Sequence, residues 1–577
     1  MNRGLVLKKL LYVSCFLFAS CGTKPRIKAD LIIHHARVYT VDQKFRIVEC
    51  FAVKDGKILA LGKNDSILKA YEAPEEVDAK GKTIVPGFID AHAHFYEYGR
   101  TLQEVDLTGT TSFDEVLKRI QDFVSSHPGC LNQDKDFNTK WIIGRGWDQN
   151  DWVNKEFPDR EKLDKLFPSN PVFLSRIDGH AALVNEVALK LGGVTEWREI
   201  KGGKILTRTR DESKKGSSLS GVLIDNAMNP IQSIIPPPSP EDMKSALVNA
   251  QQKCFAAGLT TVTDAGLDKK VIDLMDAMQK SGELKMRIYA MLTPNEENLT
   301  YYLAHGQFKT ERLDVRSFKF YADGALGSRG ACLRQPYSDK PGEYGHLLNI
   351  PEYYSKMALK MFEKGFQMNT HCIGDSAVHL ILKIYDNLFR DYFRKGGHLH
   401  FDPRWRIEHF QVTTAEDIAL LTSPGIKPPP FIPSVQPTHA TSDMYWAGQR
   451  LGPERIKYAY AYNDLRKAAG VVALGTDFPV EDISALKTFY AAVARMDDKG
   501  WPDGGFQPEN ALSREDALRG MTIWAAYASF EEKEKGSLEA GKFADFTMLS
   551  NDIMTMDLTE FHAASVLATY VNGVKVY

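Results

Sequence analysis

The residues best suited to chemistry begin at Pro86-Gly87-Phe88-Ile89-Asp90-Ala91-His92-Ala93-His94. Thr83-Ile84-Val85 reads as a short apolar strand, Pro86-Gly87 punctuates it, and Phe88-Ile89 open a second strand that carries both histidines. Residues i and i+2 of a strand face the same side. Two neutral imidazoles on one side are half of a site for zinc or a similar divalent ion. The spacing alone does not make such a site. His398-Leu399-His400 has the same interval but sits between Gly396-Gly397 and Asp402-Pro403, a loop context, and is assigned no metal.

What sets His92 and His94 apart is the order of elements after them. From Ser239-Pro240-Glu241-Asp242, a helix start with a Ser cap, Pro at the first position and an acid at the third, helical and strand patterns alternate. Strands are predicted near 90, 262, 289, 320, 370, 408, 434 and 474. Eight strands separated by helices predict a parallel (β/α)8 TIM barrel, whose chemistry sits at the C-terminal strand ends. Those ends carry His92 and His94 on the first strand, Lys319 on the fourth, His371 on the fifth, His409 on the sixth and Asp477 after the eighth. Imidazole and carboxylate without a thiolate set suit one or two divalent ions, zinc first among them, in a hydrolytic site. Lys319 has two readings. Burial beside two ions would make it neutral and open to carbon dioxide, giving a bridging carbamate, whereas beside a single ion it stays an ammonium. Ser328 and Arg329 follow the fourth strand and are candidate pocket residues. Trp147, Trp152 and Phe95 suggest an apolar or aromatic leaving side.

Residues 27–85 read as β, with Asp55-Gly56 as a hairpin signal, and the tail from about 530 to 577 returns to the same pattern. The two ends are expected to pair into one β-sandwich domain beside a barrel spanning 86–529. Residues 96–230 read as an α/β insertion after barrel strand 1. Within it, Ala181–Leu191 is predicted helical, and the polar Gly202–Gly221 stretch is predicted to be an exposed hairpin.

These motifs resemble the amidohydrolase superfamily, in particular its YtcJ-like, N-substituted-formamide-deformylase-like branch (amidohydrolase family 3). The resemblance runs from about 27 to 577. It rests on Pro86–His94, Lys319–Arg329, His371–Ala377, Arg406-Ile407-Glu408-His409, Gly475–Pro479 and Gly536–Lys542, with Gly144–Asp148, Asp178-Gly179-His180 and Gln436-Pro437 as marks of the branch. The resemblance implies that His92, His94 and Asp477 bind one metal, that His371 and His409 bind the other, and that Lys319, carboxylated, lies between. It implies attack of a metal-activated hydroxide on a carbonyl, with Asp477 as the catalytic proton carrier. Asp375, Arg406 and Glu408 are supporting candidates. His180, Arg145 and Gln436 are implied substrate contacts, the insertion being a roof. The expected activity is hydrolysis of a non-peptide C–N bond, foremost a linear amide such as an N-acyl or N-formyl amine. A cyclic amide or imidazolone substrate, or a lipid-anchored binding protein without catalysis, are the other readings.

Lys+Arg 72 against Asp+Glu 74 leaves a net charge of −2, so no nucleic-acid partner is expected. Arg3, Lys8 and Lys9, the apolar run Leu10–Ala19 and Leu17-Phe18-Ala19-Ser20-Cys21 read as a lipoprotein signal peptide over 1–20. That reading puts the protein in a bacterial cell envelope, tethered through Cys21 to the outer membrane or facing the periplasm, and ordinary cleavage near Ala19 with a secreted product is the alternative. Cys50, Cys130, Cys254, Cys332 and Cys372 are scattered and odd in number, which excludes a disulfide framework. The expected partner is a small-molecule amide, and a homodimer is left open.

Overall fold

Apolar strands alternate with capped helices through most of the chain, and the computed structural model closes them into a barrel. It describes residues 25–127, 131, 140–177, 179, 181–200, 203–208, 218–394, 402–421 and 431–577. The barrel strands are β1 (Phe88–Ala93), β2 (Leu259–Leu267), β3 (Arg287–Leu292), β4 (Leu313–Tyr321), β5 (Gln367–Cys372), β6 (Trp405–His409), β7 (Phe431–Val435) and β8 (Ala473–Leu474). Each pairs in parallel with the next, from β1 to β8. The seam between β8 and β1 is bridged by the segment just after β8. Asp477 N donates to His92 O at 2.7 Å. Asp90 accepts from Thr476 N at 3.0 Å, Thr476 Oγ1 at 2.7 Å and His92 N at 3.1 Å.

The helices begin and end where local chemistry dictates. The helix Pro240–Ala256 opens on a full capping box: Ser239 Oγ accepts from Asp242 N, and Asp242 Oδ2 accepts from Ser239 N. The helix Pro351–Lys364 stops at Gly365 in the left-handed region. Their apolar faces and the outward side of the strands share one core that includes Phe318, Phe366, Trp405, Tyr385 and Phe389.

Both ends of the chain build the β-domain. The strand Phe546–Leu549 pairs antiparallel with Thr83–Pro86, which pairs in parallel with Arg37–Tyr39. A four-stranded sheet, containing Leu31–His34 and the Asp55-Gly56 hairpin, completes the domain around Phe51, Ile84 and Phe546. The domain is tied to the barrel wall by a buried pair, Arg287 Nε to Asp545 Oδ2 at 2.6 Å, with Asn572 also on the Arg287 guanidinium.

The insertion between β1 and β2 carries a six-stranded mixed sheet with its own apolar clusters. The expected helix over Ala181–Leu191 is corrected: Ala181–Val184 is a strand between Val172–Arg176 and Leu219–Asp225, and the helix is Glu186–Leu191, capped by Asn185. A short strand buried on both faces has no period to distinguish it from a helix. Gly203–Thr207 and Leu219–Asp225 pair antiparallel. No helix of the described residues is long and apolar enough to cross a membrane. The leader with Cys21 lies outside the described residues, as do Cys130, His398 and His400.

Candidate active site

His92 stands fully buried on β1 with both ring nitrogens engaged. Nδ1 lies 2.5 Å from Glu408 Oε2, so this nitrogen carries the hydrogen, and Nε2 faces Lys319 Nζ at 2.9 Å. Glu408 is held in turn by Arg406, whose Nε is 2.6 Å from Glu408 Oε1 and whose Nη2 donates to Ala91 O and Ser434 Oγ. These bonds fix the ring's tautomer and aim Nε2 into the barrel.

Asp477 collects the imidazoles from the opposite side. Its Oδ1 is 3.1 Å from His94 Nε2 and 3.5 Å from His92 Nε2, and its Oδ2 is 3.6 Å from His439 Nε2. The His409 ring lies 4.8 Å from that of His92 and 4.4 Å from that of His371, and its Nδ1 is 2.8 Å from Gln436 Oε1. His371 Nε2 is 3.7 Å from Asp323 Oδ1. Asp323 is fixed by backbone N–H groups of Ile373, Gly374 and Cys332. His409 and Asp477 both have left-handed backbones, φ +69° and +66°. Non-glycine residues rarely adopt this conformation, and here it turns both side chains toward the same point.

Burial sets the charge states. It pushes His92 down to about 4, His371 down to about 3 and His409 well below the usual imidazole value, which favours the neutral ring in all three. It draws Lys319 down to about 8 against the pull of Glu408 and Asp477. Burial would raise Asp477, but His92, His94 and His439 outweigh it and hold the carboxyl below the ordinary range. Glu408 is held low in the same way, by Arg406 and His92.

The residues fit a metal. His371 Nε2, His439 Nε2 and Asp477 Oδ1 are buried and satisfy no hydrogen bond. Such atoms are costly unless an ion answers them. Donor atoms of His92, His94 and Asp477 lie within 4.8 Å of one another, as do those of His409, His439 and Asp477.

The structure thus brings together His92, His94, Lys319, His371, His409 and Asp477. Gln436 joins them through His409. Ser328 is turned to Ala325 O, and Arg329 is paired with Asp339. Arg145 is exposed on the insertion strand Ile142–Trp147. Asp178 and His180 lie outside the described residues. The aromatic leaving side is corrected: Trp147 and Trp152 are buried in the insertion's own cluster and Phe95 in the main core, so all three serve packing. His439 and Asp323 were not foreseen. The signal for His439 was its place two residues past Gln436-Pro437, in the first turn of the helix Pro437–Asp443 that follows β7.

Eight parallel strands with imidazoles and a carboxylate gathered at their C-terminal ends define a barrel of the metal-dependent hydrolase class. The chain belongs to the amidohydrolase family, whose model matches residues 75–577, and it acts as a hydrolase of carbon–nitrogen bonds other than peptide bonds. It is 32% identical to Protein LONG AFTER FAR-RED 3 of Arabidopsis thaliana over 96% of this chain and 92% of that one. It is 27% identical to the N-substituted formamide deformylase of Arthrobacter pascens over 95% of this chain and 98% of that one. Its fold matches the crystal structure of an uncharacterized metal-dependent hydrolase from Pyrococcus horikoshii OT3, with TM-score 0.71 and 26% identity over 92% of this chain and 99% of that chain.

Proposed function

We propose that the protein hydrolyses a linear amide, an N-acyl or N-formyl amine, with Asp477 as general base. The observation that carries this reading is the Asp477 carboxylate, ionised and buried among the three imidazoles His92, His94 and His439. The similarity to a deformylase of N-substituted formamides supports a linear substrate. His92, His94, His371, His409 and Asp477 are the residues to hold zinc or a similar ion, and Lys319 is the residue to bridge if carboxylated. When bound, such an ion supplies a Lewis acid that polarises the carbonyl and makes water more acidic.

The chain's own residues do the rest. Asp477 takes the proton from the attacking water and passes it to the departing nitrogen. His94 and His439 flank its two oxygens and fix its plane. Glu408 and Arg406 keep His92 in one tautomer. Lys319, drawn down to about 8, has an appreciable amine fraction at neutral pH, and the amine is the form that condenses with carbon dioxide. Gln436 holds His409 with its oxygen and keeps a buried Nε2 without a partner, a donor for the substrate. Arg145, His180, Ser328 and Arg329 remain proposed contacts for the outer part of the substrate.

The test is a panel of N-formyl amines, N-acyl amines, cyclic amides and imidazolones, offered to the zinc-loaded protein and to Asp477→Asn. Turnover of linear amides that falls about 10²–10⁴-fold in the variant is expected. Turnover of cyclic substrates alone would replace the linear reading, and bound metal without any turnover would make the protein a binder. The leader pattern supports a lipid anchor at Cys21 in the cell envelope. Palmitate should label the wild type and not Cys21→Ala, and label surviving the substitution would remove the anchor.

A further inference from the structure

We infer that His34, His35 and Asp78 form a site on the β-domain for one divalent cation of the kind that imidazole and carboxylate favour together, zinc, nickel or copper(II). The site lies outside the barrel and does not depend on the proposed reaction.

Three observations carry it. First, the backbone brings together two rings that regular structure would separate. His34 ends the strand Leu31–His34, and His35 follows it. Neighbours along a strand face opposite sides, but His35 has a left-handed backbone, φ +51°. Its Nδ1 lies 2.9 Å from His34 Nδ1. Second, the third donor comes from the adjoining strand, in register. Asp78 ends the strand Glu75–Asp78 opposite His34, and its Oδ1 is 3.3 Å from His35 Nδ1. Donors ~2.0–2.1 Å from one ion stand about 2.9 Å apart at a right angle and about 3.3 Å apart at the tetrahedral angle. Both spacings therefore suit a shared ion with little movement. Third, hydrogens alone leave the three atoms poorly answered. A hydrogen on His35 Nδ1 points to His34 or to Asp78, and one on His34 Nδ1 leaves the His35 lone pair against the carboxylate. Lys80 N donates to Asp78 Oδ1 at 2.9 Å and, with the two histidines, holds the carboxyl below its ordinary value, so it is an anion. A cation answers all three atoms at once. The frame around them is already fixed: Asn64 Oδ1 accepts from His35 N at 2.8 Å, His34 O from Ala79 N at 2.9 Å and His35 O from Gly81 N at 2.6 Å. Three protein donors leave a position for water. Glu75–Asp78 is an edge of its four-stranded sheet, so the ion fastens that edge to the strand beside it.

The experiment counts ions and needs no amide. The full chain is loaded with zinc and dialysed to equilibrium against Ni²⁺, and both metals are measured in the same sample. Nickel that has replaced zinc is subtracted. The parent is expected to keep one nickel ion more per chain than His34→Ala and than His35→Asn. Asparagine accepts the left-handed backbone at position 35, so this variant keeps the local fold and carries the test even if His34→Ala is destabilised. Zinc content and the unfolding midpoint measured without nickel should match the parent's in His35→Asn. Asp78→Ala should raise the free nickel at half-occupancy at least about 10-fold, the lower end of what losing even an outer partner of a ligand costs. Equal nickel in the parent and in His35→Asn overturns the inference, and so does an unchanged half-occupancy in Asp78→Ala. Absence of amide turnover would count against the proposed reaction and leave the nickel difference standing.

Discussion

Glu408 shows how much of the site depends on a residue that never touches a substrate. It is the acceptor for His92 Nδ1 and the counter-charge for the fully buried Arg406. Glu408→Gln should weaken metal binding about 10–100-fold, because the ring loses the partner that sets its tautomer. It should also destabilise the fold by about 3–5 kcal/mol, because Arg406 is left buried without its carboxylate. A chelator competition and a urea titration on one preparation read the two effects, and unchanged metal affinity would reduce Glu408 to a structural partner of Arg406. At this scale the sequence showed the candidate ligands that obey a rule. His92, His94 and His371 lie at strand ends, and Lys319 lies within β4. Glu408 and His409 are neighbours, and strand alternation would place them on opposite faces. The positive φ of His409 brings both inside, and no pattern announces such a backbone at a residue that is not glycine. His439 begins a helix instead of ending a strand, so reading strand ends passed over it.

Among the elements, the shortest barrel strand is the one on which the site turns. β8 has two residues, and Gly475 follows it directly against β1. A Cβ on Gly475 would meet His92 N at 2.5 Å and both Asp90 Oδ1 and His92 O at 2.8 Å. Gly475→Ala must therefore push the segment carrying Asp477 away from the strand carrying His92. The expected cost is about 1–3 kcal/mol of stability and a fall in turnover on the order of 10²-fold, since small displacements at a reacting centre are expensive. Unfolding curves and kcat for the alanine variant check both, and a variant with normal kcat would show that the seam has slack. The barrel strands themselves were legible because apolar runs bounded by turn and cap residues recur with helical stretches between them. Ala181–Val184 was not, because burial on both faces removes the alternation that marks a strand.

At the scale of the whole molecule, the barrel's floor carries a carboxylate that is shut off from water. Asp314, at the start of β4, is buried between Arg316 and Lys309. Burial and then Glu531 push its carboxyl up to about 6, against the pull of Arg316. The folded state thus holds this proton more tightly than the unfolded chain, where an aspartate titrates near ~3.9. Its contribution to stability is full below about pH 4 and is lost as pH rises through about 6, a change on the order of 2–3 kcal/mol. Asp314→Asn should flatten the pH dependence of the urea midpoint across that window, and an unchanged slope would assign it to other groups. The pairing of the chain's two ends was legible from matching β-patterns, whereas the Arg287–Asp545 tie was not, since nothing local links residues so distant in sequence. That pairing also sets a timetable for biosynthesis. The strand Thr83–Pro86 leaves the ribosome well before its neighbour Phe546–Leu549, which follows far along the chain. Until then one edge of Thr83–Pro86 stands bare immediately ahead of His92 and His94, a template for unwanted strand pairing. A chain halted before residue 546 would have every barrel strand and all the candidate ligands, yet it would lack the neighbour that protects this edge.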